Sequence, residues 1–175
     1  MKFLKDQAAS LVISKRFKKH QFNNQSFTSA FENAKSFLIL MPEDEREFQY
    51  AFTILDHLES KKKDFYVLTY DYRVSVLPFK YRNRAISHGI KDKNKIDLPT
   101  RRFLSSLKKK NFDAILDLNR KPQLFYIYVC CIVKAEVSIG FKKKFADRVY
   151  NLQISSSETN PKISFENLLS CLNML

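Results

Sequence analysis

Short apolar runs that alternate with helix-like segments constrain the fold of this chain more than any other feature. The run at 37–41 is apolar throughout, which is typical of a strand covered on both faces of a parallel sheet. The run at 65–70 is rich in aromatic and β-branched residues, which favours a second strand. Further short strands are predicted at 84–88, 112–118, 137–140 and 149–154. Helical segments separate most of these runs, so the pattern predicts repeated βαβ units.

The predicted architecture is therefore a three-layer Rossmann-like α/β sandwich with a mainly parallel sheet, preceded by a basic amphipathic helix. A length of 175 residues, of which 45% are hydrophobic, is enough for one domain with a substantial core. The helix is predicted over residues 2–20 from its apolar spacing. We expect residues 1–33 to form a basic helical arm and connector, and residues 34–175 to form a single α/β domain.

The scarcity of glycine excludes several classes of active site. The chain contains two glycines, Gly89 and Gly140, which stand 51 positions apart. A Walker A loop, a G-x-G-x-x-G dinucleotide fingerprint and a G-x-S-x-G nucleophile elbow each need closely spaced glycines. We therefore expect no cofactor held by these glycine-built loops.

The cysteines and histidines give no support for a metal centre. Cys130, Cys131 and Cys171 include no C-x-x-C spacing, and the three histidines are scattered along the chain. These thiols are expected to be structural, in a reducing compartment. The longest apolar run, 124–133, has about half the length of a membrane span, and the N-terminus lacks a continuous hydrophobic segment for export. The sequence predicts a cytoplasmic protein without a transmembrane segment.

Positive charge is concentrated in two parts of the chain. The net charge of +13 divides into +5 over residues 1–35, −5 over 36–60, +11 over 61–110 and +2 over 111–175. Such a distribution is typical of a surface that binds a polyanion, although lysines on solvated helix surfaces give a similar pattern. The candidate polyanion-binding residues are Lys15, Arg16, Lys18, Lys19, Arg73, Lys80, Arg82, Arg84, Arg101 and Arg102.

Aromatic residues interleave with the cations between Arg73 and Arg102, which we call the middle basic cluster. Cations together with aromatic rings suit single-stranded RNA. No RNP or KH motif accompanies this cluster. An anionic membrane surface is the second expected partner, because a basic amphipathic helix can lie on lipid through Phe3, Leu4, Leu11, Val12 and Phe17. We rank RNA slightly ahead. In the second case the protein would be peripheral at the inner face of the membrane.

Ligand sites in open α/β folds lie beyond the carboxyl ends of the strands. The polar residues that follow the predicted strand at 112–118 make this segment a candidate ligand site, although they would also suit a solvated helix start. These candidates are Asp117, Asn119, Arg120 and Lys121. The loop after 37–41 is acidic, with Glu43, Asp44, Glu45 and Glu47, and is expected to stabilise a helix dipole and to repel a phosphate.

Three segments resemble the N-terminal domain of glycosyltransferase family 9, the lipopolysaccharide heptosyltransferases. The sequence NFDAILDLN at 111–119 is similar to that family's strand of "fD-x-x-i-D-L" type, and KAEVSIGF at 134–141 is similar to its strand ending "r-i-G-f". The likeness covers about residues 36–154 and implies a GT-B-type N-domain. A third segment, FLILMPEDEREF at 37–48, can be laid without gaps on that family's "i-L-v-v-r-p-d-x-l-G-D-v" segment. The family's Gly-Asp pair then falls on Arg46 and Glu47, and the resemblance makes Glu47 a candidate catalytic residue. The family's second domain, which holds most of the sugar-nucleotide donor, has no counterpart here, so the resemblance implies an inactive relative or half of a split enzyme.

The outline of the whole chain also resembles a small group of uncharacterised bacterial proteins of similar length. The shared features are a basic N-terminal helix, a strand ending in "D-l-x-i-x-l", a "K-A-x-x-x-I-G" strand and a closing "L-x-x-x-L" helix. This resemblance implies no assigned activity.

Three function hypotheses follow from the sequence. The first is a non-catalytic α/β binding module that docks on a polyanionic partner through its basic segments. The second is a glycosyltransferase half-enzyme that needs a partner chain for its donor site, with Glu47 as base and Arg120 or Lys121 contacting the acceptor. The third is a structural subunit of a larger assembly, in which the basic surface contacts a protein partner.

Overall fold

The structure is a computed structural model, and it describes residues 2–17, 27–155 and 159–175. The helices are α1 (Lys2–Arg16), α2 (Phe27–Asn33), α3 (Glu45–Ser60), α4 (Arg101–Lys108), α5 (Leu124–Val133), α6 (Ala146–Val149) and α7 (Pro161–Met174). The strands are β1 (Ser36–Leu40), β2 (Asp64–Tyr70), β3 (Ala85–His88), β4 (Ala114–Asp117), β5 (Val137–Phe141) and β6 (Leu152–Ile154). Three short 3-10 helices lie between β2 and α4, at Asp71–Val76, Phe79–Arg84 and Ile90–Asp92.

The six strands form one sheet in the order β3-β2-β1-β4-β5-β6. Every neighbouring pair is parallel. From β1 the chain adds β2 and β3 on one side and β4, β5 and β6 on the other, so the strand order reverses between β1 and β4, as in doubly wound folds. In such folds ligands bind at this point of the carboxyl edge of the sheet. The predicted three-layer α/β sandwich with a parallel sheet, and the helix that precedes it, are confirmed.

Alternate residues of each central strand face two separate hydrophobic clusters. Phe37 and Ile39 of β1 pack with α2, α3 and α7, whereas Leu38 and Leu40 pack with α1, α4, α5 and α6. This period of two in a strand buried on both faces explains why the run at 37–41 is apolar throughout.

Helix α5 is buried on nearly all sides. Residues 125–131 are all buried, because one side of α5 faces the sheet and α1, α4 and α6 pack against its other sides. Two residues of α1, Ala9 and Ile13, are buried in this contact, at 1% and 0% exposure. Part of the apolar surface of α5 is therefore covered by α1, a segment more than 100 positions away in sequence.

The apolar residues of α1 that were expected to lie on lipid are not the ones through which the helix mainly contacts the core. Phe3, Leu4 and Leu11 are 70%, 67% and 59% exposed, whereas Val12 and Phe17 are half-buried. The helix is described to Arg16, and residues 18–20 of the predicted helix lie outside the described residues. The proposed division at residue 33 stays a prediction, although α1 and α2 both contribute residues to the core.

Two local expectations differ from the structure. Helix α2 was not expected from the sequence, and it places Phe31 in the core. The strand predicted at 149–154 is shorter, because Val149 ends α6 and β6 begins at Leu152. Both segments are too short for a periodic pattern to identify them.

Candidate functional site

A buried polar network joins the carboxyl ends of β4 and β5. Asp117, the last residue of β4, is 1% exposed. Its Oδ1 accepts hydrogen bonds from the backbone N–H and the side-chain Nδ2 of Asn119, at 2.9 and 2.8 Å. Its Oδ2 accepts one from Lys143 Nζ at 2.9 Å and another from the Tyr150 hydroxyl. A carboxylate with four donors is well stabilised without water.

The second glycine of the chain makes room for this network. A Cβ on Gly140 would lie 2.7 Å from Cε2 and Cζ of Tyr150, closer than real Cβ atoms approach a ring. The absence of a side chain at this position of β5 therefore lets the ring lie across the strand and reach Asp117.

Asp117 and Asn119, both predicted as ligand-site residues, lie at the carboxyl edge of the sheet. Their side chains are also hydrogen-bonded to other groups of the chain. Asn119 Nδ2 also lies 3.3 Å from the carbonyl oxygens of Leu40 and Met41, so it links the β1 and β4 loops. Sequence reasoning missed Lys143, which follows β5 in the triplet 142–144 and looks like a solvated lysine. Its position just after a strand that neighbours β4 is the signal that could have identified it.

A cleft of about 240 Å³ lies where the sheet order reverses. Its walls are Glu43, Asp44, Glu47, Asn119, Lys121 and Gln123. Glu47 is 7% exposed, and its Oε1 lies 3.5 Å from Arg120 NH1. Burial raises the pKa of the Glu47 carboxyl above its ordinary value, and the attraction of Arg120 opposes that rise without cancelling it. The structure therefore brings together the three residues that the enzyme hypothesis named.

The acidic loop before α3 acts as predicted for a helix start. The Asp44 carboxylate accepts hydrogen bonds from the N–H groups of Arg46 and Glu47 at 3.0 and 3.1 Å. These amides are consequently occupied, and the start of α3 does not offer them to a phosphate.

A second cavity, of about 320 Å³, lies between α1 and the same edge of the sheet. Its lining includes Lys2 and Asp6 of α1, Tyr70 at the end of β2, and Phe125 at the start of α5. Glu43 and Gln123 line both cavities, and the Gln123 side chain donates a hydrogen bond to the Glu43 carboxylate.

His88 is buried beside the rings of this second cavity. It stacks on Phe125 with a centroid distance of 4.3 Å, and its Nε2 lies 2.9 Å from the Tyr126 hydroxyl. Burial, with a smaller contribution from the nearby Lys93, lowers the pKa of His88 to about 4. The imidazole is therefore neutral at physiological pH.

Four cations of the predicted middle cluster hold the irregular segment 71–84 in place. Arg73 donates to the Glu43 carbonyl at 2.6 Å and lies over the Phe48 ring. Arg82 donates to the carbonyls of Ser75 and Leu77, and Lys80 pairs with Asp56 and Glu59 of α3. Arg84 lies 4.6 Å over the Phe65 ring. These contacts give the four side chains a structural role in addition to any role in binding.

The remaining basic candidates that the structure describes lie on α1 and α4, on one face of the sandwich. Arg101 and Arg102 are exposed in the first turn of α4, and Lys15 is exposed on α1. Arg16 donates to the Tyr128 hydroxyl at 2.6 Å. Lys18 and Lys19 lie outside the described residues.

The helices on the two faces of the sheet carry opposite charge. On one face, α1 has four cations and one acid, α4 has three cations, and α5 and α6 have no net charge, which gives +6. On the other face, α2 has one acid, α3 has four acids and one cation, and α7 is balanced, which gives −4. We call the surface formed by α1 and α4 the basic face.

Within the described ranges, no helix is long and apolar enough to cross a membrane. Across the same part of the chain, no group of three or more His, Cys, Asp or Glu side chains is placed to hold a metal ion.

Residues 5–175 match the Family of unknown function (DUF6913) over nearly the whole chain. The chain belongs to this family. No curated protein and no solved structure matches it. The family assignment carries no activity, and the resemblance to glycosyltransferase family 9 stays a prediction.

Proposed function

We propose that this DUF6913 protein is an α/β binding module that docks on a polyanionic surface through its basic face. The observation that supports the proposal is the difference in net charge between the α-helices of the two layers, +6 against −4. This count leaves out the segments between the helices, among them Lys80, which pairs with α3. Charges that are scattered for solubility would be distributed over both layers. A one-sided distribution attracts a polyanion and orients the protein on it.

The basic face supports the proposal better than the cations of the segment 71–84 do. Arg73, Lys80 and Arg82 are held by partners within the chain, so binding a phosphate would compete with those contacts. Arg101 and Arg102 are exposed in the first turn of α4, whose N-terminus is already capped by Thr100. A first turn is an unfavourable place for two cations, because the helix dipole repels them there. A role of Arg101 and Arg102 in binding would explain why two arginines stand at a position where they lower the stability of the helix.

Two double charge reversals test the proposal. Arg101→Glu/Arg102→Glu alters the basic face, and the control Lys61→Glu/Lys162→Glu alters exposed lysines beside α3 and on α7. Both variants lower the formal net charge from +13 to +9, since each reversal changes it by two units. Binding to single-stranded RNA, duplex DNA and phosphatidylglycerol-containing vesicles is measured at low and moderate salt.

Wild type is expected to bind at least one of these polyanions in a salt-sensitive manner. A contact near an anionic surface contributes about 1 kcal/mol per cation, so the α4 variant should bind roughly tenfold or more weakly. The control should change binding by much less. Equal losses in the two variants, or no salt-sensitive binding by wild type, would contradict the proposal.

Glu47 favours a second candidate function, a group-transfer enzyme of glycosyltransferase type. It is a buried carboxyl with a raised pKa at the wall of the 240 Å³ cleft, which is the environment of many general bases. Under this alternative a partner chain supplies the sugar-nucleotide site. Co-purification of a second α/β chain, with sugar-nucleotide turnover by the complex, would support it.

Glu47→Gln should then abolish turnover, whereas Glu45→Gln should not, because Glu45 is an exposed residue of the same helical turn. Turnover that survives Glu47→Gln would exclude Glu47 as the base.

A further inference from the structure

The exposed apolar residues of α1 indicate which class of polyanion the basic face contacts. We propose that it is an anionic phospholipid bilayer, and that the outer side of α1 inserts among the lipid headgroups. This inference rests on the proposed function, and it adds the class of partner and the segment that enters it.

Helix α1 has apolar residues on two opposite sides. Ala9 and Ile13 face α5 and are buried. Leu4 and Leu11 are seven positions apart, about two helical turns, so they share a side, and that side faces away from the body. Their exposure is 67% and 59%. The inner side is therefore used for folding, and the outer side is left without an apolar partner in the described part of the chain.

The residues beside this outer stripe suit a bilayer interface. Phe3, adjacent to Leu4, is 70% exposed, and Lys15 follows Leu11 by one helical turn and is also exposed. The one acid of α1, Asp6, lines the cavity between α1 and the sheet. On its outward side, α1 therefore presents Leu4 and Leu11 with Lys15 beside them, the combination of apolar residues and a flanking cation by which helices lie in the plane of a membrane interface.

Aliphatic side chains distinguish lipid from RNA as the partner. Proteins that bind single-stranded RNA stack its bases on aromatic rings and neutralise its phosphates with cations. Exposed leucines contribute little to either contact. In a bilayer the same leucines lose their contact with water among acyl chains, while the cations of the basic face remain near the headgroups. The pair Leu4 and Leu11 therefore favours a lipid surface.

Side-chain contacts hold α1 on the body, so the basic face can dock as one unit. Lys5 pairs with Asp97 at 3.2 Å near the start of the helix. Near its end, Arg16 donates to the Tyr128 hydroxyl at 2.6 Å, and Arg148 of α6 donates to the carbonyls of Ser14 and Phe17. Because α4 packs on α5 as α1 does, the cations of both helices belong to the same layer.

A fluorescence experiment tests whether α1 enters the bilayer. The chain contains no tryptophan, so Leu11→Trp introduces a single reporter on the outer side of α1. Phe79→Trp is the control, because Phe79 is 86% exposed beside Lys80, which pairs with α3 on the opposite layer. With phosphatidylglycerol-containing vesicles, emission of Leu11→Trp should shift to shorter wavelength and that of Phe79→Trp should not. Phosphatidylcholine vesicles and RNA should shift neither.

A binding experiment tests the contribution of the leucines. Leu4→Ser/Leu11→Ser should weaken binding to phosphatidylglycerol-containing vesicles by about tenfold or more, since two exposed leucines lose their place in the bilayer. Phe79→Ser/Met174→Ser removes two similarly exposed apolar residues away from the basic face, and it should leave binding unchanged. All four substituted positions are exposed, and circular dichroism melting verifies that both variants fold.

The outcomes separate this inference from the proposed function. Salt-sensitive binding to RNA with no binding to vesicles would overturn the lipid inference and leave the proposed function in place. Vesicle binding that leaves Leu11→Trp emission unchanged would exclude insertion of α1. Failure to bind any polyanion would overturn both.

Discussion

Replacing Lys143 by methionine removes the ammonium group that lies 2.9 Å from Asp117 Oδ2 and keeps most of the length of the side chain. Both side chains are almost completely buried, at 2% exposure for Lys143 and 0% for Asp117. Water cannot replace the lost cation at such a site, so the variant leaves a buried carboxylate without its counter-charge.

The expected loss of stability follows from the remaining partners of Asp117. Removing one member of a buried ion pair costs about 3–5 kcal/mol. Three donors remain on the carboxylate, from Asn119 N, Asn119 Nδ2 and the Tyr150 hydroxyl, so we expect the lower end of that range. A loss of about 3 kcal/mol is a large part of the ~5–15 kcal/mol that stabilises a typical domain.

Urea unfolding of a double-mutant cycle provides the measurement. Lys143→Met should lose about 3 kcal/mol, and Asp117→Asn should also be destabilising because it leaves Lys143 as an unpaired buried charge. The double variant has no buried charge, so its loss should be clearly smaller than the sum of the two single losses. A loss below about 1 kcal/mol for Lys143→Met, or strict additivity in the cycle, would refute this reasoning.

Three further predictions concern stability. Gly140→Ala should cost about 1–3 kcal/mol in urea unfolding, because its Cβ would lie 2.7 Å from the Tyr150 ring; an unchanged midpoint would show that the ring moves freely. Ile13→Ala should cost about 2–5 kcal/mol and Leu11→Ala less than about 0.5 kcal/mol, because the first is buried and the second exposed; similar melting temperatures would mean that α1 is not packed as described. The folded-state pKa of His88, about 4, lies below its ordinary value of 6.5, so the unfolded chain binds a proton first as pH falls. Wild type should therefore lose up to about 3 kcal/mol between pH 6.5 and 4, and His88→Asn should lack that part of the pH dependence; parallel curves for the two proteins would contradict it.

The sequence determined the fold class because the signals for it are local. An apolar run such as 37–41 is visible without knowing its neighbours, and the alternation of such runs with helical segments limits the chain to a parallel α/β sheet. The sequence also excludes the common glycine-rich phosphate-binding loops, since two distant glycines cannot build them. The segment after β4 was also identified as a candidate site from its position beyond a strand end.

Tertiary structure alone decided which residues meet and which face outwards. Lys143 and Asp117 are 26 positions apart, and their pairing depends on the neighbouring places of β4 and β5 in the sheet. The outward direction of Leu11 depends on α1 packing against α5 through Ile13. The opposite charges of the two helix layers likewise arise from how distant segments sort to either side of one sheet, because each crossover commits its helix to a face. A formal charge of +13 shows that the chain is basic, and the packing decides where that charge is presented.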